Sequence, residues 1–535
     1  MSAKPGGQGA KNRLRDCSVP LLWAVAIVAL ASVPYIIGIA ASPRDGVFTG
    51  FTFNIDDAFV YSSWIRQIAN GSLFIRNQFT SDPQSAYQFN LFFIVLGLIA
   101  RVTRLSPMAV FHLARMVLGV SILMLIWRFA GRFLKDPIER LLIIPIAGLS
   151  SGLGWMIAGI GNHKGPVDLW QPEAITFLSI YLNPLFLMGL ILITAALHFL
   201  CRMKETGSWR DCVYAGLMLL LLGNIHTYDI VTVGAVWAAY LIAEAIKNRR
   251  LPWRVTGMSL AASLMALPSA GYQYYLYRTE EVFRLRAETP APSPALWAYL
   301  MGYGLLLVLA AFGGWKAIKE KRGALLLAVW SIAGFAIPYL PVAQQRKLVM
   351  GLHIPLAILA TIAVAAVVRR VGPRFSALAA VLIVAALVPS NLYFMTRDIR
   401  YIGSMTTGPG FRPYVSKDEV RAMSWLRDNT SPNDVVLTFP NIALFTPAMS
   451  GNLVYYGHWS ETPDYENRLK GWLAFMAPET PDGWRKGYLR ESKADYILYF
   501  SHPKGLTEPV YDLRSSDCAR VVFESGNIAV YKVIL

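Results

Sequence analysis

A series of apolar runs, each long enough to cross a bilayer, constrains this chain more than any other feature. A spanning helix needs roughly 17–25 apolar residues. Runs of that kind lie near residues 19–41, 108–130, 141–161, 177–201, 255–276, 295–315, 324–340, 348–368 and 375–395. The run 213–246 is long enough for a tight pair, broken at Asn224–Asp229. Residues 89–104 form a shorter run, read as re-entrant or interfacial. The expectation is a polytopic α-helical membrane protein of about 11 spans. Composition agrees, since only 16% of the 535 residues are charged and mean hydropathy is +0.42. A soluble domain carries about 25% charge, so a soluble enzyme and a disordered chain are both excluded.

The formal net charge is +17. Residues 396–535 carry 16 basic and 16 acidic side chains, so the whole excess lies in residues 1–395. A nucleic-acid footprint would be a basic face on a polar domain; this is the reverse. Basic residues instead cluster between apolar runs, at 1–15 (including Lys4), Arg128–Arg140, Arg202–Arg210, Lys247–Arg254, Lys316–Arg322 and Arg369–Arg374. Cytoplasmic loops are rich in Lys and Arg. Loops 42–88, 162–176, 224–229, 277–294 and 341–347, and the tail from 396, are then extracytoplasmic. The chain divides into a membrane region, 1–395, and a C-terminal domain, 396–535. The cysteines Cys17, Cys201, Cys212 and Cys518 show neither a disulfide framework nor a zinc spacing.

The tail reads as a soluble α/β domain. A helix is expected over Lys417–Asp428, where Val420, Met423 and Leu426 recur near helical spacing. Strands are expected at Asp434–Phe439, Asn452–Tyr456 and Asp495–Phe500, with a hairpin from Arg520–Glu524 and Ile528–Val533. A helix over Pro463–Phe475 would have Thr462 as its N-cap.

The first outer loop carries the strongest chemical signal, Asn54-Ile55-Asp56-Asp57-Ala58-Phe59-Val60-Tyr61. After the two carboxylates, Tyr61, Trp64, Ile65 and Ile68 follow at i, i+3, i+4 and i+7, an amphipathic helix ended by Asn70-Gly71. Such a helix is expected in the membrane interface with its aromatic face toward lipid. One Asp suffices to cap a helix. A second in the first turn suits the helix dipole, and equally a catalytic base that the dipole keeps ionised.

An acidic pair directly after the first span, heading an amphipathic helix, resembles the GT-C class of integral-membrane glycosyltransferases. The layout is similar to the protein O-mannosyltransferase and aminoarabinose-transferase group, family 39. The resemblance implies a polyprenyl-phosphate sugar donor and a glycan, lipid or protein acceptor hydroxyl. It also implies an inverting transfer with Asp57 or Asp56 as general base, Asp57 being favoured. Membrane oligosaccharyltransferases of this class use a divalent cation with a DxD-like motif and a WWD motif. Neither motif is present, so no cofactor is expected and a metal is disfavoured.

Other polar residues complete the candidate set. Arg346 and Lys347 begin a span on the outer side, where positive charge is unusual, and suit a donor phosphate; Arg284 is a third candidate, though it lies with Arg278 and Arg286 beside Glu280, Glu281 and Glu288, where mixed signs suit a solvated helix at least as well. Asp168 reads as an ordinary loop residue, whereas Glu173, next to a span start, is a candidate substrate ligand. His226 and Asp229 interrupt an apolar hairpin and are further candidates. Asn183-Pro184 reads as a kink. In the tail, His458, Trp459 and Glu461 suit an acceptor. The rival readings are a transporter or flippase of lipid-linked saccharide and a non-catalytic cell-envelope assembly protein. A multi-pass cell membrane location fits all three.

Overall fold

The computed structural model describes residues 8–85, 88–160, 165–404, 412–501 and 510–535. The Gly-rich start with Lys4, and residues 162–164 of the second outer loop, lie outside that set. Seven helices among the described residues are long and apolar enough to cross a membrane: Cys17–Ala40, Pro107–Ala130, Pro137–Ile157, Pro184–Thr206, Asp229–Asn248, Leu296–Lys319 and Gln345–Arg370. Pro373–Ala386 and Pro389–Gly403, bent by 53°, would make an eighth.

Fewer helices than apolar runs reach that length because several runs are interrupted. The run 177–201 breaks at Asn183, whose extended backbone ends one helix while its side chain accepts the Leu185 N–H and caps the next. Asn183-Pro184 is therefore a boundary, where a kink was expected. The run 255–276 divides into Trp253–Leu264 and Leu267–Thr279. Leu325–Ala336 gives way to a short 3₁₀ turn containing Pro338. Trp209–Ile225 has 17 residues, about 26 Å of helix against roughly 30 Å of hydrocarbon. Leu91–Thr103, in the ambiguous run, has 13 and is shorter still.

Two compact units carry these elements. The first comprises 1–33, 112–273 and 290–397. Its axis is the run Gln345–Arg370, whose most apolar window is 94% buried. Leu296–Lys319 packs closely on it at Gly313, where a Cβ would lie 1.8 Å from the Leu359 carbonyl oxygen. Small residues allow such approaches between membrane helices. Outward-facing side chains on the same bundle remain apolar and exposed, Ile332 at 73% among them, as a lipid-facing surface requires.

The second unit comprises 34–111, 274–289 and 398–535. It groups the tail with the first outer loop and with 274–289, segments that the sequence reading left with the membrane region. Seven strands lie in it: β1 (Gly46–Phe48), β2 (Tyr414–Ser416), β3 (Val435–Thr438), β4 (Leu453–Val454), β5 (Tyr496–Phe500), β6 (Ala519–Ser525) and β7 (Ile528–Val533). β1 and β2 pair antiparallel, joining the first loop to the tail. The other five form a sheet of order β4-β3-β5-β7-β6. β3 is parallel to β4 and β5, whereas β7 is antiparallel to β5 and β6. The helix Lys417–Asn429 carries a Ser416–Glu419 capping box and stacks Trp425 on Phe523 of β6. Trp472, Phe475 and Tyr488, from Tyr465–Met476 and Asp482–Ser492, pack with Leu437, Ile497 and Tyr499 in the core.

The helix after the acidic pair, Ile55–Ala69, is amphipathic as read, but its aromatic face does not meet lipid. Tyr61, Trp64, Ile65 and Ile68 are all buried. Tyr61 stacks on Phe93, Trp64 meets Phe93 edge-on, and Ile68 sits where a Cβ on Gly97 would be. The partner helix Leu91–Thr103 covers that face and turns Val95, Leu98 and Val102 outward instead.

Candidate functional site

Asn54 precedes the Ile55–Ala69 helix in a left-handed conformation (φ 48°) and makes no side-chain cap. Asn tolerates that conformation better than most residues. Neither acid is therefore the cap; both Asp56 and Asp57 lie in the first helical turn. Their side chains are 34% and 45% exposed, and the helix dipole favours their charge there.

The tail brings a second group to them. After β4 the chain makes a tight loop over Gly457–Thr462. A Cβ on Gly457 would lie 2.9 Å from the Ala443 carbonyl oxygen. The Thr462 hydroxyl oxygen accepts the N–H groups of Gly457 and His458 and its O–H donates to Phe79 O at 2.6 Å. Thr462 thus closes the loop and does not cap the next helix, which starts at Tyr465 behind Asp464. His458 Nδ1 accepts the backbone N–H of Ser460 at 3.1 Å and of Glu461 at 3.3 Å. With Nδ1 accepting, the neutral ring carries its proton on Nε2. That atom is buried without a hydrogen-bond partner among the described residues and lies 3.7 Å from Asp56 Oδ2 and 3.8 Å from Asp57 Oδ1. Burial pushes the His458 imidazole below its ordinary value; Glu461 and Asp56 pull the other way, and Arg286 adds to the lowering. The neighbouring Trp459 indole donates to Asp56 Oδ2 at 3.0 Å. An open cleft of ≈ 160 Å³ lies alongside, lined by Asp56, His458, Trp459, Arg412, Asn441 and Tyr465 among others.

Glu461 is buried and pairs with Arg286 at 2.7 Å. Arg286 also lies over the Trp64 ring, 4.7 Å from its centroid. Burial opposes the Arg286 charge, but Glu461, Tyr277, Tyr61 and Asp57 more than offset it and hold its pKa above the ordinary value. Sequence reasoning chose Arg284 in this segment. Arg284 is instead half exposed and paired with Glu281 on the surface of the helix Glu281–Glu288. The missed signal was helical spacing: Val282 and Phe283 are the buried face, and Arg286 follows them at i+4 and i+3.

The helical unit holds the remaining candidates. His226 Nδ1 and Asp229 Oδ2 are 2.6 Å apart, and the Tyr228 hydroxyl lies 2.9 Å from His226 Nε2. Glu173 and Lys347 are within electrostatic reach of Asp229, and Lys347 lies over the Tyr228 ring. Four of the named residues, Glu173, His226, Asp229 and Lys347, therefore gather in one place. Arg346 stacks over Trp170, and its backbone carbonyl accepts from Gln171. Asp168 is fully buried, with Oδ2 accepting the N–H groups of Gly152 and Gly154. Burial pushes its pKa up to about 6 against the lowering by Ser390 and those amides. It pins a loop from the inside, where an ordinary solvated loop residue was expected. Among the described residues, no three His, Cys, Asp or Glu side chains are grouped to hold a metal ion.

No protein-family model matches the sequence, and no curated protein matches it. Solved structures do. The apo oligosaccharyltransferase of Archaeoglobus fulgidus aligns over 89% of this chain and 69% of its own, at 12% identity and a TM-score of 0.54. The same archaeal enzyme in complex with an inhibitory peptide and a dolichol-phosphate aligns at 13% identity and a TM-score of 0.51. The chain has the GT-C fold. ArnT from Cupriavidus metallidurans, solved bound to undecaprenyl phosphate, aligns over 95% of this chain and 97% of its own at 14% identity and a TM-score of 0.49. The archaeal alignments bear out the resemblance read from the acidic pair at the level of the fold, a polytopic helical membrane protein with a C-terminal sheet domain.

Proposed function

We propose that this protein is a membrane glycosyltransferase that moves a sugar from a polyprenyl-phosphate carrier to an acceptor hydroxyl on the extracytoplasmic side. The observation that carries the reading is the acidic pair at a helix start, faced by a buried imidazole N–H and a Trp459 N–H beside an open cleft. The fold supports it, because the archaeal oligosaccharyltransferase of the same fold was solved with a dolichol-phosphate and a peptide.

In this reading Asp57 takes the acceptor hydroxyl proton as that oxygen attacks the anomeric carbon. The bond from that carbon to the phosphate oxygen breaks, and the lipid phosphate leaves with the electron pair. Attack opposite the leaving group inverts the centre. Asp56, already accepting from Trp459, orients the acceptor or holds its neighbour in place. The exposed face of Trp459 and the side chains of Asn441 and Tyr465 offer stacking and hydrogen bonds to a saccharide or similar polar acceptor. The proposed steps use no protein-held divalent ion, and transfer undiminished in EDTA is the corresponding check.

The decisive experiment is transfer from a panel of polyprenyl-phosphate sugars by purified protein in liposomes, with Asp57→Asn and Asp56→Asn alongside. Transfer by the wild type and its loss in Asp57→Asn are expected. Lipid-saccharide translocation without transfer would replace the reading with a flippase.

A further inference from the structure

The loop Gly457–Thr462 holds His458 in one tautomer with, among the described residues, nothing inside hydrogen-bond distance of its protonated nitrogen. Buried polar atoms are nearly always satisfied, and an exception calls for a reason. Here the two nearest acceptors are Asp56 Oδ2 and Asp57 Oδ1, at almost equal distances of 3.7 and 3.8 Å. Two adjacent carboxylates on one helical turn repel when both ionise. One N–H between them favours the ionised form of either and draws both toward it.

We infer that His458 is a positioning residue, a neutral Nε2–H donor that sets the orientation of the Asp56–Asp57 pair. It makes no bond to substrate and is neither acid nor nucleophile. The inference rests on the glycosyltransferase reading for its kinetic consequence, but the donor role of Nε2–H toward the two aspartates does not. The charged and titratable groups around the ring are Asp56 and Asp57 on the helix Ile55–Ala69, Arg286 on Glu281–Glu288 and Glu461 on its own loop. Glu461 is committed to Arg286 at 2.7 Å, which leaves the two aspartates as the acceptors for Nε2–H. A half-shell geometry of this kind tightens when substrate is bound.

Two isosteres separate donation from loop support. His458→Gln keeps an N–H at the Nε2 position and loses the ring acceptor for Ser460 and Glu461. His458→Asn keeps an acceptor near Nδ1 and loses the distal N–H. A positioning donor requires Gln to retain transfer and Asn to lose kcat by about 10- to 100-fold, the range for one hydrogen bond to a charged group. Losing the donor also raises the proton affinity of the base. The acid limb of the kcat/KM profile should therefore move up by about one pH unit in Asn and stay in place in Gln. The reverse order, with Asn active and Gln impaired and no shift of the limb, overturns the assignment and leaves a loop-supporting histidine.

A second readout does not depend on activity. In ¹⁵N-histidine-labelled protein in nanodiscs, the resonance missing from His458→Gln identifies His458. It should report the Nε2–H tautomer at pH 7 to 8 and shift when Asp56 and Asp57 are both replaced by Asn. An Nδ1–H tautomer, or a resonance indifferent to the aspartates, refutes the inference even if no sugar donor is ever found. Absence of transfer by the wild type, with the tautomer and shift as expected, removes the functional reading and keeps this one.

Discussion

The Trp459 indole N–H donates to Asp56 Oδ2 at 3.0 Å across 403 positions of sequence. The bond fixes which lone pair of Asp56 is occupied. Trp459→Phe keeps the ring and removes the donor. An exposed hydrogen bond to a charged group is worth about 1.5 kcal/mol, so kcat should fall about 10-fold with melting temperature changed little. Steady-state transfer kinetics beside a thermal melt check this. A melt that drops while kcat holds would make Trp459 a structural tie.

The parts of this site differ in how legible they were. Asp56 and Asp57 stood out because two acids head a helix of clear 3.6-residue period. His458 and Trp459 stood out by composition only. Their meeting with the acids depends on pairings that no local pattern encodes: β1 with β2, Phe59 against Phe445, and Gln78 O accepting from Val454 N. The lipid-facing reading of Tyr61 and Trp64 failed for the same reason. Periodicity reveals that a face is apolar, and not whether lipid or a second helix such as Leu91–Thr103 covers it. Helices are shorter than the apolar runs where single residues such as Asn183 end them inside a run. Hydropathy averages over them, while the backbone does not.

Arg286 and Glu461 supply a coupling that can be measured directly. Both are more than two-thirds buried, at 29% and 5% side-chain exposure. Removing one partner leaves the other desolvated and unpaired, which costs more than the pair contributes. Arg286→Met and Glu461→Gln should each lower the stability of the tail-containing unit, and the double variant should be less destabilised than the sum of the two. A coupling of about 1–3 kcal/mol in a double-mutant cycle is expected. Additive single effects would show that the pair carries no net interaction.

Asp168 and His458 should impose opposite pH dependences. Asp168 has its pKa raised to about 6. Its contribution is therefore complete below its unfolded value, near 3.9, and is lost as pH rises through 6. Asp168→Asn removes the titration while an amide oxygen still accepts from Gly152 and Gly154. The pH dependence of melting between about 4 and 7 should flatten accordingly. His458 has its pKa lowered, so its contribution is present above about 6.5 and is lost as pH falls below that value. In His458→Gln that acid-side loss should disappear. Hydrogen exchange or limited proteolysis across pH 4–8, read separately for 150–170 and 455–462, distinguishes the two.

Arg346 gives the sharpest test of phosphate binding in the helical unit. Its backbone is held on both sides, N–H to Ala291 O at 3.0 Å and carbonyl from Gln171 Nε2 at 2.7 Å. The guanidinium lies over Trp170, 5.4 Å from the ring centroid, and Trp170 is itself anchored to Gly165 O. A guanidinium held near the ring offers a fork of N–H donors that suits an anion. Arg346→Ala should weaken binding of a short-chain polyprenyl phosphate about 10- to 100-fold, the worth of a charge-assisted contact. Arg346→Lys should recover only part of it, because the charge returns without the fork. Equilibrium binding in detergent, read by Trp170 fluorescence with Trp170→Phe as blank, separates these outcomes. Equal affinity in all three proteins would assign Arg346 to headgroup snorkelling and leave the donor phosphate to other cations.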